Sequence, residues 1–179
     1  VDPAKNALSF RHVTRGVALP STAPIRPSDP SANALAHNAG EIWALSLLEC
    51  YVSLLRVHPF SEAHARMKRY LVGALRATPF EPTFSEAAAA LRAAAAATDP
   101  ADGEKFAQAF ARRGLGAGAE SPPRTSTDLV GMKESTITSS SAVRIVEISL
   151  DDSVQTCDGD GVLDMGETGL LRVTIENVG

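Results

Sequence analysis

The sequence predicts a mainly α fold followed by a truncated β-sandwich-like segment, on three observations. Apolar residues recur at helical spacing from residue 38 to residue 113, with capping residues at the starts and Pro or Gly at the stops. Glycines, Pro122, Pro123 and many Ser and Thr then fill residues 114 to 141. Beyond Ser141 the apolar period drops to two, as strands require. Of 179 residues, 44% are apolar and 21% charged, which excludes a wholly disordered or collagen-like chain. No run of about 18 apolar residues occurs, so no membrane span is expected. The chain opens at Val1 with no processing signal and reads as a piece of a longer protein.

Residues 1 to 36 form an arm. Pro20, Pro24, Pro27 and Pro30 stand too close together for a helix or an interior strand, which leaves an ordered loop or a surface-draped segment. A short helix or turn is expected at residues 8 to 12. The first full helix runs from Ala39 or Gly40 to about Val57, opened by a capping box of Asn38 and Glu41. Its polar residues Ser46, Glu49, Ser53 and Arg56 recur as one narrow stripe, and Trp43, Leu47, Leu48, Tyr51, Leu54 and Leu55 cover the rest. Such a helix belongs in the middle of a domain. The second runs from about Ser61 to Ala77 and turns Ala63, Met67, Tyr70, Leu71, Ala74 and Leu75 inward.

The third helix opens on a capping box of Thr83 and Glu86 behind Pro82 and continues to Ala97. Its alanines bury little area, so they point to close approach between helices. Asp99 caps the fourth helix, Pro100 takes its first turn, Phe106, Ala109 and Phe110 face the core, and Gly114 ends it. The expected organisation is a helical domain at 1–120, a linker at 121–141 and a β module at 142–179. In the last, Val143, Ile145, Glu147 and Ser149 alternate with Arg144, Val146, Ile148 and Leu150, and Leu171, Val173 and Ile175 with Arg172, Thr174 and Glu176. Two or three strands cannot enclose a sandwich core, so the module is incomplete.

The net charge of -4 conceals an asymmetry: residues 1 to 140 carry 15 basic and 13 acidic groups, residues 141 to 179 carry 2 and 8. A balanced body argues against nucleic acid as a partner, and the acidic tail suggests cations. Cys50 and Cys157 fall in different domains and support no disulfide framework.

The densest chemistry lies in Cys157-Asp-Gly-Asp-Gly-Val-Leu-Asp-Met-Gly-Glu167. Asp158, Asp160, Asp164 and Glu167 crowd four carboxylates between two strands, and a hard cation removes their repulsion. With the backbone carbonyl of Val162 as a further ligand, the spacing resembles a calcium loop with a structural Ca²⁺, although Val162 stands where a third side-chain ligand is expected. The alternative is a solvated acidic turn. His37, just before the first helix, is the other candidate, as a packing residue or a catalyst. His12, His58 and His64 lack partners at metal-ligand spacing, and no HExxH, CxxC, GxSxG or phosphate-cradling glycine loop occurs. Glu41 and Glu49 are better explained by capping and the polar stripe than as an acid/base pair, and Arg112 and Arg113 by the helix C-terminus.

The blocks Leu8-Ser-Phe-Arg-His-Val-Thr-Arg-Gly-Val-Ala-Leu-Pro20, Ala36-His-Asn-Ala-Gly-Glu-Ile-Trp-Ala44 and Leu48-Glu-Cys-Tyr-Val52 resemble the C-terminal part of the fungalysin catalytic domain. Arg66-Met-Lys-Arg-Tyr-Leu-Val72, Leu75-Arg-Ala-Thr-Pro79, Pro82-Thr-Phe-Ser-Glu-Ala87 and Ala109-Phe-Ala-Arg-Arg-Gly-Leu-Gly-Ala117 continue it, over about residues 6 to 135. Fungalysins are secreted zinc metallopeptidases of the thermolysin-like, HExxH class. The resemblance implies a helical C-terminal lobe forming one wall of the cleft over the zinc. It also implies that His37 is similar in position to the histidine aimed at the tetrahedral oxyanion. Ala36, Asn38, Leu47 and Leu48 depart from the family pattern. The zinc ligands and the general base lie upstream in the family.

Two readings follow. The first is the C-terminal lobe of an extracellular zinc metalloendopeptidase that acts on protein or peptide substrates, inactive without its N-terminal lobe. The second is a catalytically silent helical interaction domain with a calcium-stabilised β module. For the tail alone, a calcium-dependent adhesion or carbohydrate-binding module is a third.

Overall fold

A computed structural model describes residues 6–22, 29–138, 143–155 and 158–177. The chain divides into two units, Val1–Ser139 and Ser140–Gly179. Among the described residues the first holds four α-helices, α1 (Ala36–Leu55), α2 (Phe60–Ala77), α3 (Phe84–Thr98) and α4 (Pro100–Arg112). The second holds strands β1 (Val143–Gln155) and β2 (Thr168–Asn177). A mainly α fold with a short β segment is thus what the chain forms.

The helix starts follow their caps in α3 and α4. Thr83 accepts from the Glu86 N–H while Glu86 reaches back to the Thr83 N–H, and Asp99 accepts from the Ala101 N–H with Pro100 behind it. The expected cap of α1 is not used. This helix begins at Ala36, before Asn38, and the Asn38 amide instead donates to the Ala32 carbonyl at 2.8 Å. A turn of 3₁₀ helix at Pro30–Ala32 runs almost directly into α1 and takes the amide that the box would have needed.

The arm is an ordered loop whose apolar residues enter the core. Leu8, Phe10 and Val13 are fully buried, and Phe10–Val13 is a 3₁₀ turn closed by the Ser9 N–H on the His12 Nδ1 at 2.9 Å. Phe10 meets Phe84 edge-on at 5.6 Å, and Trp43 stacks on Phe110 at 6.0 Å.

The inward face of α1 differs from the expected one. Ala39, Ile42, Leu45, Cys50 and Leu54 are buried together with Ser46, Glu49 and Ser53, while Leu48 and Leu55 are exposed. Small polar side chains can be buried because each finds a partner. Ser46 Oγ donates to the Ile42 carbonyl and Ser53 Oγ to the Cys50 carbonyl, so both bond their own helix. In α2, Ala63, Tyr70 and Ala74 are buried as expected, but Leu75 faces solvent.

The alanine run does mark close packing. A Cβ on Gly103 of α4 would lie 2.6 Å from Ala96 Cβ and 2.9 Å from Ala96 Cα of α3. Residues 115 to 138, which the sequence assigns mostly to a linker, return to the helical unit. Leu115 pairs with Ser135 and Glu120 with Lys133, Thr14 Oγ1 donates to the Leu129 carbonyl, and Arg124 meets Glu86. Gly116 lies under this return, where an added Cβ would sit 2.3 Å from the Ile137 carbonyl oxygen.

In the second unit β1 and β2 are antiparallel, and Val146 is an extra residue between the pairs Ile145–Ile175 and Glu147–Thr174. The bulge reverses the alternation read from the sequence. Ile145, Ile148 and Leu150 share one face with Ile175, Val173 and Leu171, while Glu147 and Ser149 fall on the other with Thr174 and Arg172.

Candidate functional site

His37 occupies the first turn of α1 and is exposed. Its platform is braced from below. The buried Asn33 donates its amide to the Thr14 and Val17 carbonyls at 3.0 and 2.8 Å, and Asn38 ties the helix start to Ala32. The N-cap residue Leu35 offers no side-chain acceptor, and no acid stands in the first turn, so the positive end of the helix dipole is not neutralised there. Ala44, Leu48 and Leu55 follow at seven, eleven and eighteen residues, which places them within about 20° of His37 around the helix. All four are exposed.

Behind this stripe lies a buried ion pair that the sequence did not reveal. Arg113 Nε and Nη2 both donate to Glu49 Oε1, at 2.9 and 2.5 Å, and Arg112 approaches the other oxygen at 3.6 Å. The remaining nitrogen of Arg113 donates to the Asn6 and Leu8 carbonyls at 2.7 and 3.0 Å. One guanidinium therefore joins α1, the end of α4 and the arm.

A second network centres on Asp102, which has no exposed surface. The Tyr70 hydroxyl donates to it at 2.8 Å, Arg66 at 2.9 Å and Lys105 at 3.2 Å, and His58 Nε2 lies at 3.3 Å. Arg66 also bonds Asp99 and Glu62. Burial works against ionisation of Asp102, but Tyr70, His58, Arg66 and Lys105 together outweigh it and bring the carboxyl down to about 2. His58 is thus a structural partner of α2 and α4. His64 stacks on Phe60 at 5.8 Å, and His12 closes the arm's turn. Burial also pushes the Cys50 thiol far up, which makes it inert.

The acidic loop of the second unit is exposed from Asp158 to Gly166. Gly159, Gly161 and Gly166 have positive φ and allow the tight wrap. Its carboxylates bond backbone N–H groups: Asp160 accepts from Val162 at 2.9 Å, and Glu167 accepts from Asp164 at 3.0 Å. Cys157 lies outside the described residues. Among the described residues, no three His, Cys, Asp or Glu side chains come together to hold a metal ion. The calcium ligands expected from the sequence, Asp158, Asp160, Val162, Asp164 and Glu167, lie on this loop between β1 and β2. The sequence contains no HExxH. No helix among the described residues is long and apolar enough to cross a membrane.

Residues 19–119, more than half of the chain, match the family model described as fungalysin metallopeptidase (M36), a zinc-dependent peptidase family. The match takes in the end of the arm, all four helices and His37. No curated protein matches the chain.

Proposed function

The chain belongs to the fungalysin metallopeptidase family, and from that premise we propose that residues 1–120 are the helical C-terminal lobe of a secreted zinc metalloendopeptidase. In this reading the lobe is one wall of the cleft, and a separate N-terminal lobe holds the zinc and the general base. The observation that carries it is the exposed stripe of His37, Ala44, Leu48 and Leu55 on the central helix. A helix that packs its other side into the core and leaves aliphatic residues in water has a further surface to meet. The histidine heads that stripe at the positive end of the helix, on a braced turn.

The chemistry follows from this position. His37 donates a ring N–H to the negative charge that builds on the carbonyl oxygen of the peptide under attack. Such a donor acts mainly in the transition state, and groups of this kind contribute roughly 3 to 4 kcal/mol. The substrate is a protein or peptide. A catalytically silent interaction domain would use the same stripe and leave His37 idle. For the second unit we propose a structural calcium ion on the 158–167 loop, supported by the crowding of four carboxylates and the three positive-φ glycines. Calcium would displace the backbone N–H groups that Asp160 and Glu167 now accept.

The test is reconstitution with the upstream lobe of the parent protein. The wild-type chain should associate with that lobe and restore cleavage of a casein substrate, and Leu48→Asp should block association. Association without cleavage would favour the silent domain, and no association by the wild type would overturn the lobe reading.

A further inference from the structure

The solvent face of α2 carries an unusual set of residues. Lys68, Arg69, Val72, Leu75 and Arg76 are all exposed and fall within about 120° of arc, in the last three turns of the helix. Leu75 is 68% exposed, and Phe80, in the turn that follows, is 87% exposed. Pro79 and Pro82 flank Phe80 and fix much of the backbone of that turn, so the ring is held out from the surface at little entropic cost. Several cations elsewhere in the helical unit meet acids, Arg66 with Glu62, Asp99 and Asp102, Lys105 with Asp102, Arg113 with Glu49, and Lys133 with Glu120, whereas Arg56 and Arg92 do not among the described residues. Lys68, Arg69 and Arg76 form no such pair among the described residues. The nearest acids along the chain are Glu62, engaged by Arg66, and Glu81 beside Phe80.

Exposed cations interleaved with aliphatic and aromatic side chains fit a surface that is negative outside and apolar within. An anionic lipid bilayer is one, and an acidic amphipathic peptide is another. Shape decides between them. A peptide is bound in a groove, whereas this face is the convex outside of a helix and a projecting turn. None of the clearest cavities of the unit is lined by Lys68, Arg69, Val72, Leu75, Arg76 or Phe80, although Pro82 and Thr83 at the end of the turn border two of them. We propose that the α2 face and the Phe80 turn form a peripheral contact with an anionic membrane surface. Lys68, Arg69 and Arg76 attract the headgroups, and Phe80, Leu75 and Val72 enter the interfacial layer. With three cations and three apolar side chains the contact is weak and reversible. It is independent of the peptidase reading, since it uses a different helix from the His37 stripe.

The experiment is co-sedimentation of the full chain with phosphatidylcholine vesicles containing about 30% phosphatidylserine, an anionic lipid, against pure phosphatidylcholine. Each cation near such a surface strengthens partition roughly fivefold. The chain should therefore prefer the anionic vesicles by at least about tenfold, and the preference should shrink as salt rises. Phe80→Ala and the pair Lys68→Glu, Arg69→Glu should each weaken binding about fivefold or more, while Lys133→Gln, off this face, should not. These positions are exposed, and an unchanged helical circular-dichroism melt checks that the variants fold. No preference for anionic vesicles, or binding insensitive to Phe80→Ala and to the charge reversals, overturns the proposal. So does selective binding of polyglutamate through the same residues without binding to vesicles, which would assign the face to an acidic polypeptide.

Discussion

Arg113 and Glu49, 64 positions apart in sequence, form a buried pair in which two guanidinium nitrogens share one carboxylate oxygen. Both side chains are about 2 to 3% exposed. The third nitrogen of Arg113 finds two carbonyls of the arm, so four of the five guanidinium N–H groups of this desolvated charge are matched. The arm, α1 and α4 are consequently one structural unit, and the platform under His37 depends on it.

Breaking this pair on one side should cost more than removing both partners. Arg113→Ala leaves a buried carboxylate and should destabilise the chain by about 3 kcal/mol or more in urea unfolding. The double variant Glu49→Leu with Arg113→Met should recover much of that loss. It should still show faster proteolysis of the arm, because the Asn6 and Leu8 carbonyls lose their donor. Equal losses in single and double variants would remove the pair from the account.

Asp102 gives a pH prediction with a definite sign. Its folded pKa, about 2, lies below the ordinary aspartate value of 3.8. Its contribution is therefore present in full above about pH 4 and is lost as the pH falls towards 2. The difference corresponds to about 2 kcal/mol. Stability measured from pH 5 to pH 2 should fall by about this amount more in the wild type than in Asp102→Asn. The variant itself should be less stable throughout, since Arg66 and Lys105 lose a buried acceptor. A parallel pH dependence in both proteins would show that Asp102 does not titrate as its partners imply.

Two of the three helix glycines, Gly73 and Gly103, should respond differently to alanine. Gly103→Ala places a methyl against the Ala96 backbone and should cost about 1 to 3 kcal/mol. Gly73→Ala meets only Ala94 Cβ, at 3.4 Å, and the gain in helix propensity should make it neutral or stabilising by up to about 1 kcal/mol. Thermal melts of the two variants distinguish the sites, and no loss at Gly103 would mean that α3 and α4 are not as closely packed as described.

The elements that were legible in the sequence are those whose signals are local. Thr83 with Glu86, Asp99 with Pro100, and Gly114 act within a few residues of themselves, and each helix boundary they specify is observed. The burial of Glu49 was hidden because its partner is supplied by another helix, and a polar residue at a three-to-four spacing looks the same whether it faces water or a buried guanidinium. Asp102 was hidden for the same reason, since Tyr70, Arg66 and His58 come from other parts of the fold. The Val146 bulge shifts the strand register by one residue, which no alternation pattern records. Of the candidate site, His37 is a candidate in the sequence alone but takes a specific role only through the resemblance, and its exposed stripe is visible only once α1 is placed.

Calcium should act on the second unit alone. Adding about 1 mM Ca²⁺, in the range of extracellular modules, should raise the melting transition of the β unit and leave the helical transition unchanged. Asp160→Asn with Asp164→Asn should abolish the shift, and Mg²⁺ should not reproduce it. No shift with calcium would leave the loop as the turn seen here, held by its own backbone hydrogen bonds.

The most direct test of the account is the turnover of the parent peptidase with and without the His37 side chain. At saturating peptide, His37→Ala should lower kcat by about a hundredfold or more with KM little changed, as expected of a group that binds charge mainly in the transition state. His37 is exposed on a braced turn, so the variant should keep the wild-type melting temperature. An active parent whose kcat is unaffected by the substitution would contradict the catalytic role of His37.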